Sequence, residues 1–343
     1  MREPADGPRL GMTEAVEGFY LALVADGLHR AGVLAALASG AELAAFADAQ
    51  GLQLEIVERL LGYLAARTDL VDGDAETGFR VTRSPADFAF DLHMLDQYVG
   101  GYGGCLRELP RLLRGGVDGG GFVDRRRHAA AFAGIDARAG EGEVARMLHS
   151  LEVKTVLDMG CGGGQLLIAL AAADPDLRGI GVEANPEAAA AARRNLVAAG
   201  LADRVEILDG DVLACAGQID PERRNQVQAL VAASVVNAYF GGGEVGPEDF
   251  LRRLGDLFPG RIMIVADYYG RLGRDAVGAA YRRTLIHDVA QLVSGQGVPP
   301  GDLDAWKRIY AAAGCGLIQP FAGHGDGVDR FIHLIQLPGA VEA

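Results

Sequence analysis

Residues 154–164 read Lys-Thr-Val-Leu-Asp-Met-Gly-Cys-Gly-Gly-Gly: an apolar run crossed by one acid, Asp158, and closed by glycine at 160, 162, 163 and 164. A helical pattern begins at once, over residues 165–173. Glycine lets backbone approach a ligand closely, and the amides that open a helix present a positive dipole end to a carboxylate or phosphate. This spacing describes a small-cofactor cradle at a strand-to-helix turn. Further polar residues follow at the ends of apolar runs: Glu183 after residues 179–182, Asp211 after residues 204–208 and a short turn, and Ser234 after residues 229–233. Glu183, one strand along from the glycine turn, can take both hydroxyls of a ribose.

The dinucleotide fingerprint requires a third glycine where Gln165 stands, which argues against an NAD-dependent oxidoreductase. The Asp158, Gly160, Gly162 and Gly164 spacing instead resembles the D-x-G-x-G-x-G pattern of class I S-adenosylmethionine (SAM)-dependent methyltransferases. That resemblance implies SAM as cofactor and S-adenosylhomocysteine as product. It implies cofactor-binding roles for Asp158, Gly160, Cys161 and Gly162, for Glu183 with Ala184 at the ribose, and for Asp211 with Val212 at the adenine edge. Ser234 would face the reacting centre. Taken singly, an acid after a strand is a common turn residue; the order and spacing of the set carry the resemblance.

Methyl transfer asks for in-line approach in a desolvated pocket, and a base only where the nucleophile must lose a proton. The His-Asp motif that many O-methyltransferases carry after the fourth strand is replaced here by Val235-Val-Asn-Ala-Tyr-Phe-Gly241, which also removes a histidine that metal-dependent members use. No metal is expected. Another adjacent pair, His287-Asp288, lies in a segment that resembles the substrate cover of methyltransferases acting on amino-acid-derived 2-oxo acids. His287, Asp288 and Tyr239 are therefore the catalytic candidates, since a neutral imidazole near pH 7 can accept a proton. His287 as an ordinary helix residue is the competing reading. Tyr98, Tyr102, His128 and Tyr239 are the acceptor-binding candidates; His128, Tyr239 and His324 are weaker alternatives to His287 as the base, and His29, His93, His149 and His333 have no supporting context. Arg125, Arg126 and Arg127 read as a solvated basic face unless the acceptor is acidic.

Residues 1–84 carry helical apolar spacing (Val16, Phe19, Tyr20, Leu23, Val24; then Leu43, Phe46, Leu54, Val57, Leu60, Leu61, Leu64) followed by two short extended pieces. This order resembles a winged helix. Glu55 and Glu58 offset Arg59 and Arg67 on its second helix, so no basic face is offered to a major groove. In small-molecule O- and C-methyltransferases such a domain makes a homodimer, and that role is what the resemblance implies. Residues 85–150 read as a helical linker with acceptor-pocket walls. Residues 151–343 read as an α/β, Rossmann-like, seven-stranded class I methyltransferase domain with ligands beyond the carboxyl ends of its strands.

The chain has 343 residues, half of them hydrophobic, and a net charge of −14. That charge opposes binding to nucleic acid or anionic membrane. Four cysteines, at 105, 161, 215 and 315, lack metal-ligand spacing, and neither a signal segment nor a membrane-length apolar run is present, which fits a reducing cytoplasm. The expectation is a biosynthetic methyltransferase of secondary metabolism acting on oxygen or carbon of an aromatic or amino-acid-derived acceptor. N-methylation stands behind it, and a regulator or catalytically silent scaffold is the reading from a different class.

Overall fold

The structure is a computed structural model that describes residues 10–128, 131, 141–242, 245–273, 281–323 and 327–339. The chain divides into two compact units at Gly103/Gly104. The first, from Pro8, contains helices Met12–Arg30, Val33–Ala38, Leu43–Gln50 and Leu54–Arg67, then an antiparallel hairpin of β1 (Val71–Asp74) and β2 (Gly78–Val81). Its core joins Leu28, Leu34, Leu61, Leu64 and Val71. The apolar run of residues 42–66 is two helices, because Gly51 takes φ +65° and ends the first. Helix Pro85–Met94 continues as a π-helix, Leu95–Gly101.

The second unit is built on a seven-stranded sheet: β3 (Thr155–Met159), β4 (Arg178–Glu183), β5 (Val205–Asp209), β6 (Ala229–Ala233), β7 (Ile262–Tyr268), β8 (Gly316–Ala322) and β9 (Arg330–Gln336). Its order is β5-β4-β3-β6-β7-β9-β8, parallel from β5 to β7 and antiparallel at β7–β9 and β8–β9. The central strands are continuous apolar runs because both faces are covered. Leu167, Leu170, Ala189 and Leu196, from helices Gln165–Ala173 and Pro186–Ala198, pack with Val156 and Val231 on one face. Phe250, Leu254, Trp306 and Tyr310 pack with Leu157, Leu230 and Val265 on the other. Chain order reverses at β3, whose neighbours β4 and β6 lead in opposite directions. In such sheets this switch point opens a crevice at the carboxyl ends of the strands.

Candidate functional site

The glycine turn leaves β3 at that switch point. Gly160, Gly162 and Gly164 all have positive φ (+70°, +52° and +79°), a region that side chains oppose. A Cβ on Gly160 would crowd Val235 Cγ2 at 2.8 Å, whereas one on Gly162 would enter open space. The backbone is therefore bare where a ligand can approach it. Asp158, buried inside β3, pairs in register with Gly181 and Val231. Cys161 is buried too; its amide donates to Val182 O at 3.0 Å, and burial, reinforced by the Asp158 and Glu183 charges, holds its thiol protonated. It is a packing residue of the turn, not a nucleophile.

Glu183, at the end of β4, closes the cradle from the side. Its Oε2 accepts from Gly162 N at 2.9 Å and its Oε1 from Asn185 N at 2.8 Å. Ala184 is the exposed residue between them. Asn185 caps the following helix through Glu187 N (2.9 Å), while its Nδ2 donates to Arg125 O at 3.1 Å. That bond brings the arginine segment against the Glu183 loop, with Arg126 3.5 Å from Glu187. After β5, Asp211 caps helix Val212–Gln218 by accepting from Ala214 N at 3.0 Å, and Val212 is buried beneath it. Asp211 is exposed and has a second oxygen to offer.

The ends of β6 and β7 are tied together. Ser234 takes φ +54°, rare for a residue with a side chain, and its amide donates to Ala266 O at 2.8 Å. Asp267, fully buried, accepts from Asn237 N at 2.9 Å and Tyr268 N at 3.0 Å, while burial pushes its carboxyl up to about 7. The Tyr268 ring meets His287 edge-on at 4.7 Å, which sets helix Arg282–Val293 over this end of the sheet.

The remaining candidates have distinct surroundings. Asp288 Oδ2 accepts from Arg271 N (2.6 Å) and Leu272 N (2.8 Å), fixing the chain after β7. Tyr239 stacks on Phe250 at 4.2 Å; burial, then the Asp211 charge, raises its phenol to about 12, so it is a hydrogen-bond donor and no base near neutrality. His128 is neutral, pushed down to about 4 by burial and then by Arg125. Tyr98 and Tyr102 belong to the first unit, stack at 6.5 Å, and Tyr102 is only 1 % exposed, an interior residue. His324 lies outside the described residues. His333, without context in the sequence, is buried between Tyr269 Oη (3.0 Å from Nε2) and Tyr310 Oη (2.9 Å from Nδ1). Only the β7–β9 pairing and the Leu303–Ala312 helix bring these three together, so no local pattern announces them. Asn185 was missed likewise, although an Asn before Pro186 is a legible helix cap. Among the described residues, no group of three or more His, Cys, Asp or Glu could hold a metal ion.

The set suits SAM. Two ribose hydroxyls need an acceptor such as Glu183, an exocyclic amine needs one such as Asp211, and the methionine part needs the bare backbone at residues 160–164. The sheet order and the glycine turn after β3 are those of the class I methyltransferase fold. Residues 156–240, from β3 to the segment after β6, match the methyltransferase-domain family. A 58-residue stretch is 41 % identical to O-methyltransferase imqG of Aspergillus flavus, covering 17 % of this chain and 24 % of that protein. Over nearly full length the fold is similar to mitomycin 7-O-methyltransferase MmcR (TM-score 0.73, 20 % identity, 95 % of this chain and 96 % of that one). It is also similar to PigF solved with S-adenosylhomocysteine (TM-score 0.71, 19 % identity, 96 % and 100 %). At these identities the two structures establish the fold.

Proposed function

We propose that the chain is a SAM-dependent methyltransferase of a small-molecule acceptor in secondary metabolism, with an oxygen or carbon nucleophile. The observation that carries this reading is the Glu183 carboxylate, held by the Gly162 and Asn185 amides beside a glycine turn with open space above it. When bound, SAM supplies an electrophilic methyl group. Glu183 takes the ribose, Asp211 and Val212 the adenine, and residues 158–164 the methionine part. Ser234 and the buried groups after β6 and β7 shape the space where the nucleophile is oriented and water excluded. His287, on a helix set over that space, is the candidate to accept the nucleophile's proton.

The helical unit is proposed as a winged-helix-like dimerisation module. Phe19 (58 % exposed) and Tyr20 (59 %) join Met12 and Val16 in an uncovered apolar face on its first helix. Nucleic acid is not its partner on this reading: Arg59 pairs with Glu55 at 2.8 Å and Arg67 with Glu17 at 2.6 Å, leaving no basic reading face there. Four free, buried cysteines support a reducing cytoplasm. No helix among the described residues is long and apolar enough to cross a membrane. Calorimetry with SAM, S-adenosylhomocysteine and NAD tests the reading: the first two should bind and NAD should not.

A further inference from the structure

Two buried side-chain amides have no role in the site described so far. Asn237, in the 3-10 segment Val236–Gly242 after β6, and Gln291, on helix Arg282–Val293, are each 3 % exposed. The carbonyl oxygens of both, Asn237 Oδ1 and Gln291 Oε1, are sealed from solvent and have no hydrogen-bond partner. Gln296 Oε1, just past the end of that helix, is unmatched as well, whereas Asn195 Nδ2 donates to Gly163 O at 3.0 Å and Gln228 Oε1 accepts from Lys154 N and Thr155 N at 2.6 and 3.1 Å. An unmatched buried amide opposes folding, and native chains keep few of them. Groups that oppose folding and persist gather where a ligand completes them.

A continuous set of contacts links the two. The Asn237 backbone N–H donates to Asp267 at the end of β7; the next residue, Tyr268, meets His287; and Gln291 follows His287 by four residues, on the same helix face. The exit of that helix then runs against the Asn237 segment so closely that a Cβ on Gly241 would strike Gly295 O, and one on Gly297 would strike Phe240 O. Asn237 thus stands three residues beyond Ser234, where the methyltransferase reading puts the reacting centre.

We propose that Asn237 and Gln291 recognise the acceptor, their side-chain carbonyls each accepting a hydrogen bond from a hydroxyl or N–H group on it. The proposal rests on the methyltransferase reading and adds the chemical class of its substrate: a small uncharged molecule with proton donors at its reactive end. A neutral amide accepts a hydrogen bond without removing the proton. These residues therefore select and orient the donor and leave ionisation to His287 or to the acidity of the acceptor itself.

The test uses Asn237→Leu and Gln291→Met, which delete each amide at similar volume. Removing an unmatched polar group should leave the melting midpoint at or above that of the wild type, and S-adenosylhomocysteine affinity by calorimetry should be unchanged. Catechol, salicylamide, 2-hydroxyacetophenone and anthranilamide, added to the S-adenosylhomocysteine complex, are the acceptor probes, with veratrole and 2-methoxyacetophenone as donor-free controls. Donor-bearing compounds should raise the wild-type midpoint, and most of that shift should vanish in either variant. Lower midpoints for both variants without ligand would show the amides to be structural and overturn the proposal. So would shifts that survive the substitutions, or a wild-type complex that no donor-bearing probe stabilises. Failure of the wild-type chain to bind S-adenosylhomocysteine at all is a separate result, which sinks the methyltransferase reading.

Discussion

On the proposed reading, Glu183 serves cofactor binding and His287 proton transfer, and their substitution should separate the two. Glu183→Ala is expected to weaken SAM and S-adenosylhomocysteine by about 1–3 kcal/mol, the cost of leaving buried polar partners unmet; unchanged affinity in calorimetry would remove the ribose assignment. His287→Ala should leave that affinity nearly intact and lower turnover by about 10²-fold or more, as loss of a general base does. Near-normal turnover across the pH range would make His287 a packing residue against Tyr268. Two other buried groups set opposing pH responses. Burial lowers His333 from 6.5 to about 3, so the unfolded chain takes up a proton that the native chain refuses; its contribution to stability is complete above pH 6.5 and is lost as pH falls towards 3. Asp267 is shifted the other way, from 3.8 to about 7, so its contribution is complete below pH 3.8 and is lost as pH rises through 7. Asp267→Asn removes the acid-side support, and its melting midpoint should fall more steeply than that of the wild type as pH drops from ~7 to ~4. Parallel midpoint curves for the two proteins would mean that Asp267 does not titrate in this range.

Glycine at positions without room for a side chain joins the elements around the acceptor space. Gly297 has φ +80° and lies against the Phe240 carbonyl, so Gly297→Ala should destabilise the protein by about 1–3 kcal/mol and slow any turnover along with it. An unchanged midpoint would show that the Gln291 helix and the Asn237 segment move independently. The parallel strands were legible from the chain because each is an apolar run punctuated by glycine or an acid. Ala229–Ala233 and the Gln165–Ala173 helix fall where that punctuation puts them. The six-residue helix Val33–Ala38 escaped notice because it is shorter than its own periodicity can reveal. The π-helix Leu95–Gly101 escaped because its widened turns have no composition of their own. In the site, the cofactor residues were readable since they follow strands at fixed spacing. The Tyr269–His333–Tyr310 set and the Asn237–Asp267 link were not, because strand pairing and helix docking create them from residues far apart in sequence.

At the scale of the whole molecule, the uncovered apolar face of helix Met12–Arg30 calls for a partner, and a second copy of the chain is the one proposed. Light scattering at micromolar concentration should report a homodimer. Val16→Asp combined with Phe19→Asp should yield a folded monomer, since both side chains are exposed in the single chain and neither is needed for its core. A wild-type monomer would end the dimer proposal. The Glu183 carboxylate carries a different consequence. Its two oxygens are fixed by the Gly162 and Asn185 amides before any nucleoside arrives, so no ordering of that side chain opposes binding. Donor and spent product carry the same ribose, and a grip that is ready for one is equally ready for the other. Such uniform affinity does nothing for the rate of methyl transfer. On the proposed reading, it makes methyl transfer sensitive to the ratio of S-adenosylmethionine to S-adenosylhomocysteine around the protein, so output in a cell would follow how quickly the spent cofactor is cleared.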